Sequence, residues 1–83
     1  MKLQVTVKYF GSVKDDSGTD NESISLEDGS TISQAIAQLK QMHTGLMKRK
    51  GQILFALNQT YSTDDTPMRD GDELALFPVV SGG

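Results

Sequence analysis

Residues 31–46 read Thr-Ile-Ser-Gln-Ala-Ile-Ala-Gln-Leu-Lys-Gln-Met-His-Thr-Gly-Leu and carry the strongest helical pattern in this 83-residue chain. Thr31 and Gln34 match a capping box, in which the hydroxyl accepts a bond from a backbone N–H and the Gln side chain reaches back. Apolar residues then recur along one stripe: Ile32, Ala35, Ile36, Leu39, Met42 and Leu46. The pattern predicts a helix over about residues 31–44, ended by a left-handed Gly45, whose apolar stripe covers a sheet.

Alternating stretches on both sides of this helix predict the sheet. Residues 2–10 alternate, with Leu3, Val5, Val7 and Tyr9 facing the core. Further strands are predicted over 22–26, 52–57, 60–63 and 73–77, with a turn at Asn58-Gln59 and the last strand ended by Pro78. Residues 12–21 read as a loop with at most one helical turn. We expect an α+β roll in which one main helix crosses a mixed sheet of about four or five strands, with a domain over 1–77 and a flexible tail over 78–83.

Composition and charge exclude several classes of function. The chain has no cysteine, which excludes disulfides, a thiolate nucleophile and cysteine metal ligands. Its net charge is −3 and its one basic run, Lys48-Arg49-Lys50, is short and reads as a solvated loop, which argues against nucleic acid as a partner. No stretch resembles a signal peptide or a membrane span, so we expect a cytoplasmic protein with no membrane partner.

No catalytic constellation of residues is apparent. His43, the only histidine, falls beside the apolar stripe without visible partners, and a structural role is favoured. The carboxylates of Asp70 and Asp72 flank a turn glycine and are expected to bind turn amides rather than calcium. Asp15-Asp16 and Asp64-Asp65 are interpreted as solvated loop charge. We therefore predict no metal site and no cofactor bound by the isolated chain.

The C-terminal tail and two aromatic residues remain. The glycines at 82–83 are narrow enough to bring the α-carboxylate into a partner's active site, and the extended residues 78–83 span at most about 20 Å. That carboxylate could attack the α-phosphate of ATP, after which sulfide or an amine could displace AMP. Phe10 and Phe77 end the outward rows of the first and last strands. If those strands are parallel neighbours, both rings lie together as a protein-docking patch; alternatively, each packs against its own loop or Pro78.

Four features together carry a resemblance to a known family: the stretches Leu57-Asn58-Gln59 and Asp70–Gly83, the aromatic Phe10 and the capping Thr31. In these features the chain resembles the small subunits of molybdopterin synthase, which are sulfur carriers with the β-grasp (ubiquitin-like) fold. The resemblance implies that an activating enzyme of the ubiquitin-activating type uses ATP to adenylate Gly83, which then becomes a thiocarboxylate (1-thioglycine). It also implies that the tail enters the large subunit of a heterotetramer and gives sulfur to cyclic pyranopterin monophosphate, in molybdenum cofactor biosynthesis. The chain would then have no catalytic group of its own apart from the thiocarboxylate.

The same resemblance assigns roles by position. Gly83 bears the sulfur and Gly82 keeps the passage narrow. The residues implied to thread or contact the partner are Pro78, Val79, Val80 and Ser81 in the tail and Phe10, Phe77 and Lys14 on the domain. Lys14 stands where the family often has Arg, so a bidentate contact would be lost there. Val79 and Ser81 replace a frequent Pro and Thr.

Two other functions stay open from the sequence. The Gly-Gly chemistry is shared by β-grasp carriers for thiazole, cysteine or tRNA thiolation, and by ubiquitin-like modifiers joined to lysines through Gly83. A binding domain whose Gly-Gly end is accidental is the third possibility. The length and the Asp-Gly-Asp-Glu and Phe-Pro segments favour the molybdopterin synthase family over the shorter thiazole carriers.

Overall fold

A computed structural model describes residues 2–79. Its elements in chain order are β1 (Lys2–Tyr9), α1 (Gly11–Ser17), β2 (Asn21–Glu27), α2 (Ile32–Met42), α3 (Thr44–Lys48), β3 (Ile53–Leu57), β4 (Thr60–Ser62) and β5 (Glu73–Pro78). Within these residues the strands form one mixed sheet in the order β2-β1-β5-β3-β4. None of the helices in the described range is long and apolar enough to cross a membrane.

The central strand of the sheet, β5, runs parallel to β1, with Tyr9 opposite Leu76. β2 pairs antiparallel with the outer side of β1, while β3 pairs antiparallel with both β5 and β4. Parallel neighbours need a crossover, and the segment containing α2 provides it by crossing one face of the sheet. The predicted α+β roll, which is the β-grasp arrangement, is therefore confirmed. β5 includes Pro78, opposite Ile53, so the ladder ends one residue later than predicted.

The helix α2 begins as its sequence predicts. The Thr31 hydroxyl accepts a bond from the Gln34 N–H at 3.4 Å, and the Gln34 side chain accepts one from the Thr31 N–H at 2.8 Å. Most of the predicted stripe is buried, but Ile36 is half-buried and Met42 is exposed. The core between sheet and helices consists of Leu3, Val5, Val7, Tyr9, Val13, Ile24, Leu26, Ile32, Ala35, Leu39, Leu46, Met68, Leu74 and Leu76.

The predicted role of Gly45 as a left-handed helix end is wrong. α2 ends at Met42, its C-cap His43 is extended with φ −127°, and Gly45 lies inside α3. A Cβ at Gly45 would lie 2.3 Å from the carbonyl oxygen of Asp16, so no side chain fits there. Glycine is required because the backbones of α1 and α3 touch at this point.

The interpretation of residues 12–21 as a loop is also wrong, because Gly11–Ser17 form the helix α1. Val13, a residue of this helix, is fully buried. Asp16 is not simply solvated, since its Oδ2 lies 2.5 Å from Nη1 of Arg49. The Arg49 side chain is only 13% exposed, so the middle residue of the basic run belongs to an ion pair that joins α1 to the end of α3.

The turns around the sheet agree with their sequence signals. Asn58 and Gln59 have positive φ values of 51° and 71°, as the tight hairpin between β3 and β4 requires. Asp70 accepts the Gln4 N–H at 2.8 Å and Asp72 accepts the Arg69 N–H at 2.7 Å. These two carboxylates therefore bind turn and strand amides, as expected.

Candidate functional site

Phe10 and Phe77 lie together on the sheet face opposite α2. Because β1 and β5 are parallel neighbours, their carboxyl ends meet at one edge of the sheet. Phe10 directly follows β1, and its N–H donates to the Leu76 carbonyl at 3.1 Å. The two rings stack with centroids 4.7 Å apart and planes 8° apart. Of the two arrangements that the sequence left open, the structure shows the grouped one, and Phe10 lies just beyond the strand rather than in it.

Two apolar residues that the sequence reading missed extend this surface. The Tyr61 ring lies 6.2 Å from the Phe77 ring, and its side chain is 73% exposed. Leu54 is directly opposite Phe77 in the β3–β5 register and is also exposed. We call Phe10, Leu54, Tyr61 and Phe77 the open-face patch. The Asn58-Gln59 turn could have predicted the position of Tyr61. A two-residue hairpin fixes the β3–β4 register, and the register decides on which face of the sheet each side chain lies.

The open-face patch borders a shallow depression of about 390 Å³. Its margin carries an ion pair between Lys8 Nζ and Glu73 Oε1, at 3.3 Å. Exposed aromatics with a polar margin are typical of the centre and rim of a protein-binding surface. This arrangement can bind an apolar side chain of a partner.

The root of the C-terminal tail is anchored next to the open-face patch. Pro78 follows Phe77 and packs on Gly11, where a Cβ would lie 2.9 Å from the Pro78 Cγ. On the other side, the Val79 N–H donates to the Gln52 carbonyl at 3.3 Å. The predicted roles of Val80, Ser81, Gly82 and Gly83 fall on residues outside the described range. The tail therefore starts at a fixed position on the edge of the patch.

Lys14, the remaining predicted contact residue, lies on α1 and forms an ion pair with Asp20 at 2.7 Å. The hydrogen bond and the charge of Asp20 raise the pKa of Lys14 above its ordinary value. The side chain is half-exposed and stays a cation at neutral pH. Its contact with a partner is not tested by this geometry and stays a prediction.

A polar cluster that the sequence reading missed lies on the helical side of the sheet. His43 Nε2 lies 2.5 Å from Glu22 Oε2, and the Tyr9 hydroxyl donates to the same oxygen. Burial, and next the hydrogen bond and charge of Glu22, raise the pKa of Tyr9. The three groups satisfy one another and join the α2–α3 junction to β1 and β2. His43 thus has partners, but their role here is structural.

Comparison with known proteins shows the family to which this chain belongs. The model of the ThiS family matches residues 7–83. The molybdopterin synthase sulfur carrier subunit of Chlamydomonas reinhardtii is 34% identical over 83 residues, which cover 98% of this chain and 100% of that protein. The subunit of the same name from Escherichia coli K12 is 35% identical over 82 residues, covering 95% of this chain and 99% of that protein.

Solved structures agree with the sequence relatives. A Pyrococcus furiosus protein assigned as molybdopterin converting factor, subunit 1, superposes with a TM-score of 0.84 at 29% identity, covering 94% of this chain and 99% of that chain. SAMP1 of Haloferax volcanii gives 0.85 at 26% identity, covering 96% and 99%. A chain in the complex of subunits 1 and 2 of molybdopterin-converting factor from Helicobacter pylori gives 0.67 at 29% identity, covering 98% and 100%. The chain belongs to the ThiS family, and the two curated relatives described above are molybdopterin synthase sulfur carrier subunits.

Proposed function

We propose that this chain is the sulfur-carrier subunit of a molybdopterin synthase, with Gly83 as the sulfur-bearing residue. The observation that carries the proposal is the position of the tail root beside the open-face patch. Pro78 and Val79 are fixed at the edge of an exposed aromatic surface, so a partner bound to that surface is within reach of the C-terminal residues. The full-length similarity to carriers of this name supports the same assignment.

The chemistry proposed for Gly83 needs no acid or base from this chain. A free α-carboxylate has a pKa of about 3.5 and is an anion at neutral pH. Its oxygen attacks the α-phosphate of ATP, the bond to pyrophosphate breaks, and an acyl-adenylate forms on an activating enzyme of the ubiquitin-activating type. Sulfide then attacks the acyl carbon, the bond to AMP breaks, and a thiocarboxylate remains. Transfer of this sulfur to cyclic pyranopterin monophosphate, followed by hydrolysis, returns the carboxylate, and the dithiolene of molybdopterin requires two such cycles.

The partner proposed for the open-face patch is the large subunit of the synthase. The Helicobacter pylori relative forms a complex between its subunits 1 and 2, which supports such a pairing here. The assembly we propose is a heterotetramer in the cytoplasm, with the tail of each small subunit in a large-subunit active site. Lys14, beside Asp20 on α1, would add a cationic contact to an acidic partner residue.

Carriers for other sulfur pathways and ubiquitin-like modifiers use the same terminal chemistry. SAMP1 of Haloferax volcanii is named as a small archaeal modifier protein, and the similarity to it supports keeping this alternative in the test. The two functions differ in what finally attacks the activated Gly83: a sulfur nucleophile leads to the thiocarboxylate, whereas a lysine amine leads to an isopeptide bond with a protein.

Intact-mass spectrometry tests the proposal. The chain is incubated with the activating enzyme, ATP and a sulfur donor, in parallel with a variant that lacks Gly83. We expect a mass gain equal to the exchange of one oxygen for sulfur in the full chain only, and molybdopterin formation once the large subunit and cyclic pyranopterin monophosphate are added. An equal gain in the shortened variant would refute the assignment of Gly83. A thiocarboxylate that yields no molybdopterin with the large subunit would instead favour another pathway.

A further inference from the structure

A groove on the helical side of the sheet is not used by the proposed function. Two adjoining hollows of about 400 and 310 Å³ share Ile36, Lys40 and Phe55, and together they follow the space between α2 and β3. The apolar part of this groove is formed by the half-buried side chains of Ile36, Ile53 and Phe55. Its length matches the rise of α2 from Ser33 to Lys40, about 10 Å, which is three or four residues of extended chain.

The sheet is open along this groove. β4 pairs with β3 only from Phe55 to Leu57, so within residues 2–79 no strand lies beside Ile53 on the β4 side. The bonds from Val79 to Gln52 and from Asn58 to Glu73 show that even-numbered residues of this stretch direct their backbone groups toward β5. The N–H and C=O of Ile53 therefore point toward the open edge, since backbone direction alternates along a strand. A further strand can add at this position.

The groove has a charge gradient along its length. Lys50 is exposed at the end where β3 begins, Lys40 is exposed between the two hollows, and Asp64 lies at the other end. Arg49 also lines the groove, but its guanidinium is already paired with Asp16. The two lysines are therefore the cations that remain for a ligand, and the ligand end beside them is expected to be acidic.

We propose that this groove binds an extended acidic peptide of a partner protein by strand addition to β3. Apolar side chains of the peptide pack on Ile36 and Phe55, its backbone bonds Ile53, and adjoining Asp or Glu side chains pair with Lys40 and Lys50. Phe55 and Leu54 are neighbours on opposite faces of the sheet, so the groove and the open-face patch can be occupied together. The peptide-bearing partner would join the carrier without displacing the protein on the open-face patch.

Nuclear magnetic resonance titration of the full chain tests this inference. The probes are two synthetic pentapeptides blocked at both ends, Val-Ile-Val-Asp-Asp and Asp-Asp-Val-Ile-Val, because either strand direction could place the acid beside the lysines. We expect one of them to give saturable shifts at Ile36, Lys40 and Ile53, with slower hydrogen exchange of the Ile53 amide. Its counterpart with Asn in place of Asp should bind several-fold more weakly, with a difference that shrinks as salt is added.

Charge-reversal variants provide the matched control. Lys40→Glu and Lys50→Glu should each weaken peptide binding about fivefold, whereas Lys48→Glu, a neighbour outside the groove lining, should not. Phe77→Ala should also leave peptide affinity unchanged. Any of three results overturns the proposal: no saturable shift up to about 1 mM of either peptide, equal affinity for the Asn peptides, or the same shifts on raising protein concentration alone, which would identify a second copy as the occupant.

Discussion

The ring of Phe10 lies flat on the ring of Phe77, with centroids 4.7 Å apart, although the residues are separated by most of the chain. The stack follows from topology, because β1 and β5 are parallel and Phe10 bonds the Leu76 carbonyl. Each ring covers one face of the other, and Phe10 remains 42% exposed. The stack thereby presents a rigid aromatic surface next to Pro78, where the tail begins.

Phe77→Ala should weaken large-subunit binding more than it weakens the fold. An aromatic anchor at the centre of an interface contributes about 2 kcal/mol or more. Phe77 is only half-buried in the free chain, so its loss should lower the melting temperature modestly. Calorimetric titration with the large subunit and thermal unfolding measure the two effects.

Phe55→Ala is the matched control for this prediction. Phe55 is also half-buried but packs against the core on the opposite face of the sheet. We expect a larger loss of stability and a smaller loss of affinity than for Phe77→Ala. Unchanged large-subunit affinity in the Phe77 variant would contradict the docking role of the open-face patch.

Gly45→Ala should destabilise the protein by about 1–3 kcal/mol, the usual cost of forcing an extra group into a packed site. The added methyl would lie 2.3 Å from the Asp16 carbonyl oxygen, so α1 and α3 must separate. Gly51→Ala is the control, because its nearest neighbour is the flexible Arg49 side chain at 3.6 Å. Denaturant unfolding measures both variants, and equal stabilities would show that the two helices can move apart without cost.

The parts of the fold that the sequence predicts are those with local signals. Alternation along β1, the capping box of α2 and the Asn58-Gln59 turn each lie within a few residues, and the structure contains all of them. The sequence placed Phe10 and Phe77 together only on the condition that the first and last strands are parallel neighbours, and it left a second alternative open.

The parts that the sequence reading misses depend on distant contacts. Gly11–Ser17 contains a single apolar residue, Val13, among Gly, Ser, Lys and Asp, and such a segment resembles a loop. Its helix is stabilised by burial of Val13 and by the bond that Arg49, 33 residues away, donates to Asp16. The role of Gly45 is mispredicted for the same reason. The close approach between two helices that requires a glycine there produces no pattern in the neighbouring sequence.

Thr31→Ala should lower the free energy of unfolding by about 1 kcal/mol, the typical value of a helix cap. The change removes the acceptor for the Gln34 N–H at the first turn of α2. Thr31→Ser keeps the hydroxyl and should retain most of the stability. Urea unfolding of the two variants compares them directly, and a Ser variant as unstable as the Ala variant would show that the methyl group, not the cap, is responsible.

Stability should fall at alkaline pH because of Tyr9. Burial and the adjacent Glu22 raise the pKa of Tyr9 in the folded chain above its ordinary value of 10.0. Above that pH the unfolded chain loses the Tyr9 proton while the folded chain retains it, so stability declines as pH rises. Below it both states are protonated and the contribution is fully present.

The chain has two tyrosines, Tyr9 and Tyr61. A Tyr61→Phe background isolates the effect, because Tyr9 is then the only tyrosine that remains. Urea unfolding from about pH 8 to pH 11 measures the free energy of unfolding. Above pH 10 this free energy should decline by a slope approaching about 1.36 kcal/mol per pH unit, and the decline should be absent when Tyr9→Phe is added. The two proteins differ only at residue 9, so the difference between the two curves reports Tyr9 alone. Parallel curves would mean that the Tyr9 hydroxyl ionises as readily in the folded chain as in the unfolded one.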